Sequence, residues 1–225
     1  MDLLLSDTFL SPVILSLKVA GTATVISFII GSILAFLLNK KTFPGKSIIE
    51  TTIMLPMVLP PTVVGFILLF LLGRDGVIGL LIYQLLHTTI LFSIYGAVIA
   101  STVVAIPLMY QSLKIGIDNV SSEVIDAAQM DGASNFNIYK SIIVPLSKNA
   151  LVTGILFSFA RALGEFGATL IVAGNIPGIT QTLPTAIYVA IENNELLLAG
   201  SWVGIMILLS FVLMLVIQII RKKDK

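Results

Sequence analysis

The stretch Asn119–Pro145, NVSSEVIDAAQMDGASNFNIYKSIIVP, is the one long polar segment in an otherwise apolar chain, and its reading decides the fold. Apolar runs long enough to cross a bilayer lie on both sides of it. The segment reads as two short helices. Ser122 is expected to cap the first, whose leading N–H groups lack intrahelical acceptors. Gly132 ends it, because glycine takes the left-handed C′ conformation without a Cβ clash. Ser134 caps the second, Phe136, Tyr139 and Ile143 share one face, and Pro145 stops it. Taken alone, the pattern describes a helical hairpin packed beneath a bilayer as support.

Working outward, composition sets the class. The 225 residues are 57% hydrophobic and 11% charged, with a mean hydropathy of +1.06, well beyond a soluble protein's balance. This reads as an all-α integral membrane protein, one transmembrane domain over residues 1–225. There is no cysteine, hence no disulfide framework and no thiolate metal site. A net charge of +1 argues against nucleic acid as a partner. No cofactor, metal site or catalytic set is expected.

Five stretches can span, since about 20 apolar residues cross the hydrocarbon: Val13–Leu38, Ile48–Leu72, Thr89–Gln111, Ala150–Ala173 and Leu196–Ile220. The first is too long for a signal-peptide core and follows acidic residues (Asp2, Asp7), so it is expected to stay. Basic residues set the orientation. Lys40, Lys41 and Lys46 follow the first span, Lys114, Lys140 and Lys148 the third, and Arg221, Lys222, Lys223 and Lys225 the fifth. The remaining loops hold Arg74, while Lys18 and Arg161 lie within spans. The N-terminus is therefore expected outside, the C-terminus inside, and the polar loop, about residues 114–148, in the cytoplasm.

Several features within the spans carry chemistry. Span one holds Gly21, Ala23, Ser27 and Gly31, small residues that let helices approach closely in lipid. Gly45-Lys46-Ser47 resembles the end of a phosphate-binding loop, but Lys40 occupies the position where the motif needs glycine. No nucleotide site follows, and any hydrolysis belongs to a partner. Pro56, Pro60 and Pro61, followed by Thr62, interrupt the second span. A freed carbonyl at that depth is tolerated only in protein or against a wet cavity, so the break is either a structural kink or part of a pathway. Pro107 is expected to kink span three. In span four, Arg161 and Glu165 are four residues apart and can pair across one helix face. An intramembrane charge costs about 2.5–3.5 kcal/mol, so the pair either fixes packing or forms part of a gate, with Thr169 nearby. His87 reads as an interface residue and Trp202 as an outer-interface anchor. Gly200 and Gly204 form a small-residue face, and the loop 174–184 is either a set of hydrogen-bond donors or a solvated turn.

The order of residues in the polar loop adds a resemblance. Asp126-Ala127-Ala128, then Gly132, then Ile142-Ile143-Val144-Pro145 matches without a gap the EAA loop of ABC importer permeases, with Asp126 in place of Glu and Val144 in place of Leu. The resemblance implies that this loop, including Glu123, couples to a cytoplasmic ATP-binding subunit. Two further stretches resemble molybdate importer permeases: Leu55–Gly65 continuing to Gly79, and Ala160–Leu170 continuing to Pro184. Sulfate/thiosulfate and tungstate permeases share much of the pattern. The resemblance implies two copies of the ATPase, a second copy of this subunit and an extracytoplasmic molybdate-binding protein. It further implies a central oxyanion pathway in the cell membrane, worked by alternating access. The interrupted second span and the polar groups of span four supply the pathway or gate candidates Pro60, Pro61, Thr62, Arg161, Glu165 and Thr169. Some relatives carry a sixth span ahead of the first, which this sequence is expected to lack. A membrane-embedded enzyme or a secondary transporter are the rival classes. The first needs convergent acid–base or metal groups; the second needs inverted repeats.

Overall fold

The computed structural model describes residues 7–38 and 43–222, and every regular element among them is helical. Lys40, Lys41, Lys223 and Lys225, which carry part of the orientation argument, lie outside the described residues. Helix α1 (Asp7–Leu38), α5 (Ile94–Asp118) and α12 (Leu196–Lys222) are long and apolar enough to cross a membrane. The 32 residues of α1 reach about 48 Å.

The centre of the molecule is α5, packed between α1 and α9 (Lys148–Leu163). Small residues line that contact: Ala20 and Ala23 of α1, Ala105 of α5 and Ala162 of α9 are buried together. In lipid no water is expelled between helices, so close backbone approach supplies the association. Gly31 shows how close: a Cβ there would lie 2.9 Å from Met109 Cγ. Pro107 sits mid-helix in α5 and does not break it. Hydroxyls from both neighbours donate to α5 carbonyls around it, Ser27 to Thr102 O (3.3 Å) and Ser158 to Ala105 O (3.3 Å). The helix runs on through the proline from Ile94 to Asp118.

The second and fourth expected spans are not single helices. The stretch Ile48–Leu72 is divided into α2 (Lys46–Val58) and α3 (Pro61–Leu72), bent by 115°. The stretch Ala150–Ala173 is divided into α9 and α10 (Gly167–Ala173) by the break at Gly164–Phe166. Helix α3 packs along α10. The short helix α4 (Val77–Leu86) follows α3 and has no buried side chain.

Four other expected features take a definite form. Trp202 is buried, stacked on Phe9 (5.8 Å) with Nε1 donating to Phe9 O (3.1 Å), because the early start of α1 covers it. The loop 174–184 spends its hydroxyls internally. Thr180 Oγ1 accepts from Ile176 N (3.0 Å), Thr182 and Thr185 share a bond (3.2 Å), and α11 (Leu183–Glu192) begins with Leu183 N donating to Ser16 Oγ. Nothing lies within 4 Å of a Cβ built on Gly200 or Gly204, so that small-residue face is left open by the chain's own packing. Lys114 lies in α5 rather than in the loop, and Glu50 of α2 accepts from both Lys114 Nζ (2.7 Å) and Tyr110 Oη (2.9 Å).

The α3–α10 contact generates a test. A Cβ on Gly65 would lie 2.9 Å from Ala168 Cα, so Gly65→Val should cost about 1–3 kcal/mol through overpacking. Gly21, with nothing within 4 Å of an added Cβ, should accept alanine. Thermal unfolding of the solubilised protein should show a lowered midpoint for the first variant and none for the second.

Candidate functional site

Two places in the structure depart from regular helix where departure is costly, and they touch. At the first, Leu59–Pro60 separates α2 from α3. Two adjacent prolines leave α3 with two fewer orphan N–H groups at its start, which suits a helix that begins inside a membrane. Pro60 O then accepts from Val63 N (2.9 Å) and Val64 N (3.2 Å). Pro60, Pro61 and Thr62 are exposed in the isolated subunit.

At the second, α9 ends at Leu163, and Glu165 lies in the break beyond it. The expected pairing with Arg161 is present, Nη1 to Oε2 at 2.6 Å. It is not made across a helix face, because Glu165 is outside the helix. Glu165 Oε1 accepts from Ala168 N at 2.9 Å, satisfying a leading N–H of α10. The carboxylate is fully buried, while Arg161 keeps 30% of its side chain exposed. Oε2 meets the guanidinium as a close ionic contact without an aligned hydrogen bond. Thr169, one turn into α10, is buried with its hydroxyl unpartnered.

The two breaks adjoin at Gly167. A Cβ there would lie 3.0 Å from Pro61 Cβ and 3.4 Å from Thr62 N. Pro61, Thr62, Glu165 and, through it, Arg161 are thus brought to one place from residues about a hundred apart in sequence. Thr169 is nearby in sequence but sealed in the packing. Sequence reasoning missed Gly167, whose lack of a side chain permits the approach, and Phe166, whose ring meets Tyr188 of α11 at 5.2 Å.

The polar hairpin is the other candidate region. Helix α6 (Ser122–Met130) is capped by Ser121, whose Oγ accepts from Glu123 N (3.2 Å), not by Ser122, which is already helical. Gly132 has φ +83°, and Gly132 N donates to Gln129 O and Ala133 N to Ala128 O, both at 3.0 Å. These are the paired bonds of a Schellman ending. Ser134 Oγ accepts from Asn137 N (3.3 Å) at the start of α7 (Asn135–Ile138).

The chain then makes a π-turn over Tyr139–Ile143, enters α8 (Val144–Leu146) and bends by 72° into α9. Pro145 therefore does not stop the helix; the turn at Ser147 does. The π-turn also changes the buried face. Residues five apart now align, so Ile138 and Ile143 are buried with Ile125 beneath α1 and α5, while Phe136 faces out. Glu123, Asp126, Ala127, Gly132 and Pro145 are exposed, and Ala128 is half-buried. The apolar side chains of Met130 and Phe136 are 89% and 66% exposed.

Comparison with known proteins decides the family. Residues 27–223 match the model of the binding-protein-dependent transport system inner membrane component. The chain belongs to that family. It is a multi-pass membrane permease. It is 48% identical over 213 residues to the "Putative molybdenum transport system permease protein YvgM" of Bacillus subtilis (strain 168), covering 95% of this chain and 94% of that protein. It is 40% identical to the molybdenum transport system permease ModB of Escherichia coli (strain K12), covering 85% and 83% respectively. The permease also has the fold of a bacterial alginate importer. A TM-score of 0.78 at 14% identity spans 100% of this chain and 82% of that one. A bacterial alginate ABC transporter in complex with an alginate-bound periplasmic protein matches with a TM-score of 0.74 at 16% identity, over 96% of this chain and 79% of that one.

The break at Glu165 yields a stability test. Glu165→Ala leaves Ala168 N and the Arg161 charge without their partner, and should destabilise the permease by at least about 1–3 kcal/mol. Glu165→Gln retains an acceptor for Ala168 N and should lose clearly less. Thermal midpoints of the two solubilised variants, compared at one detergent concentration, check the order.

Proposed function

We propose that the permease forms the membrane path of an ATP-driven importer for molybdate, working by alternating access. The observation that carries this reading is the 48% identity to a molybdenum permease across 95% of the chain. Residues 1–225 act as one transmembrane domain, with the N-terminus outside and the C-terminus inside, as the basic-residue asymmetry favours. Two copies pair about the path, and each binds one cytoplasmic ATPase subunit through Glu123, Asp126, Ala127, Ala128, Gly132 and Pro145. Exposed apolar side chains in a polar hairpin, Met130 above all, support that docking role. An extracytoplasmic binding protein captures the ion and delivers it. The permease itself contributes no nucleotide site, so hydrolysis belongs to the ATPase.

The meeting point of the two breaks is the part of the path we assign to substrate passage, with Pro60, Pro61, Thr62, Arg161 and Glu165 around it and Thr169 behind. Irregular backbone inside a membrane is accommodated where it lines a cavity or is enclosed by protein, and broken helices mark the substrate region of many transporters. The deciding experiment reconstitutes permease, ATPase and binding protein in vesicles. Molybdate should stimulate ATP hydrolysis more than sulfate or tungstate does. Stimulation by sulfate alone would replace the substrate, and a permease active without any ATPase would overturn the class.

Two further outcomes follow. Nothing lies within 4 Å of a Cβ built on Gly132, so Gly132→Val acts through its left-handed backbone, at about 1–2 kcal/mol, and through whatever docks there. Uptake by that variant should fall severalfold more than its membrane content. For orientation, a cysteine replacing Ile179 should react with impermeant maleimide on intact cells, and one replacing Asn137 should not.

A further inference from the structure

The only carboxylate of the two breaks is placed where a substrate oxyanion would be expected to bind. Arg161 is the cation at that point, and its guanidinium is already in contact with Glu165 Oε2 at 2.6 Å. The arginine is partly exposed, whereas the carboxylate is fully buried. The carboxylate is also tethered independently, because its other oxygen accepts from Ala168 N at 2.9 Å. A tethered carboxylate stays beside the guanidinium whether or not an anion passes. The charge on Arg161 is therefore cancelled by the chain itself.

A pair that served only to hold α9 to α10 would need no exposed guanidinium. A site built for tight oxyanion binding would leave the guanidinium free to offer two parallel N–H bonds. The observed arrangement does neither. We propose that Glu165 masks Arg161, occupying it with an internal carboxylate so that a tetrahedral divalent oxyanion meets no net positive charge at the breaks and is held only weakly. This rests on the reading of the permease as an oxyanion importer. Weak holding suits a conduit that must release its cargo, since a well deep enough to select would slow exit.

The mask predicts a gain of binding, which misfolding cannot imitate. Glutamine at 165 keeps an oxygen for Ala168 N and directs its neutral amide at Arg161, leaving the guanidinium uncompensated. The permease–ATPase assembly, without binding protein, is titrated calorimetrically with molybdate and with sulfate. The unmodified assembly should bind neither ion saturably below about 1 mM. Glu165→Gln should bind at least about tenfold more tightly, and the further change Arg161→Gln should abolish that gain. In vesicles with the binding protein, Glu165→Gln should lower both the half-saturating concentration and the maximum rate.

Should Glu165→Gln fail to assemble, Glu165→Ser, which retains a short acceptor, takes its place with the same expectation. An assembled variant that gains no oxyanion binding overturns the proposal, as does binding that survives Arg161→Gln. The substrate reading fails on a separate arm: the unmodified complex with its binding protein would then show no molybdate-stimulated hydrolysis, whatever the variants bind.

Discussion

Backbone polar groups have no water to turn to inside a bilayer, and that constraint shapes this permease more than any single contact. Most of the chain meets it with helix. Two segments do not, and each is handled by a specific chemical device. At Pro60-Pro61 the donors are deleted, since proline brings no N–H to be satisfied. At Gly164–Phe166 an acceptor is imported, the Glu165 carboxylate taking Ala168 N. Glycine at 167 then lets the two devices come together against Pro61.

That arrangement gives the rest of the packing its logic. The rigid part is α5 between α1 and α9, held by close small-residue contacts together with the Ser27 and Ser158 hydroxyl bonds to α5 carbonyls. Helices α2, α3 and α10 lie against this part, and the breaks that join α2 to α3 and α9 to α10 supply the irregular backbone. At one end, the polar hairpin fixes itself beneath α1 and α5 with Ile125, Ile138 and Ile143 and leaves Met130 and Phe136 facing out. The hairpin is thereby packed directly against the ends of α1 and α5. Glu50, bonded to Tyr110 and Lys114, ties α2 to α5 at the same time.

What was legible in the sequence is what short-range chemistry dictates. Gly132 ends α6 because its φ of +83° suits glycine, and Ser134 starts α7 because a hydroxyl is needed there. The Pro60-Pro61 interruption is visible for the same reason. The failures are equally physical. Spacing of four residues is compatible with Arg161 and Glu165 on one helix, and the local stop signal between them, Gly164 as C-cap, went unread. The π-turn at Tyr139–Ile143 leaves no residue signature, so the buried face shifted from Phe136 to Ile138. Trp202 looks like a surface group until the first turns of α1 close over it, which is long-range packing.

The central claim is that the two breaks meet at a water-accessible point of the path. Thr62, exposed and beside Gly167, is the place to measure it. A single cysteine replacing Thr62 in the assembled importer is exposed to a small charged thiosulfonate, with and without ATP bound to the ATPase. The account predicts modification from opposite sides of the membrane in the two states, while a cysteine replacing the exposed Phe211 of α12 stays unreactive in both. A Thr62 cysteine as unreactive as the one at Phe211 in every state would contradict it.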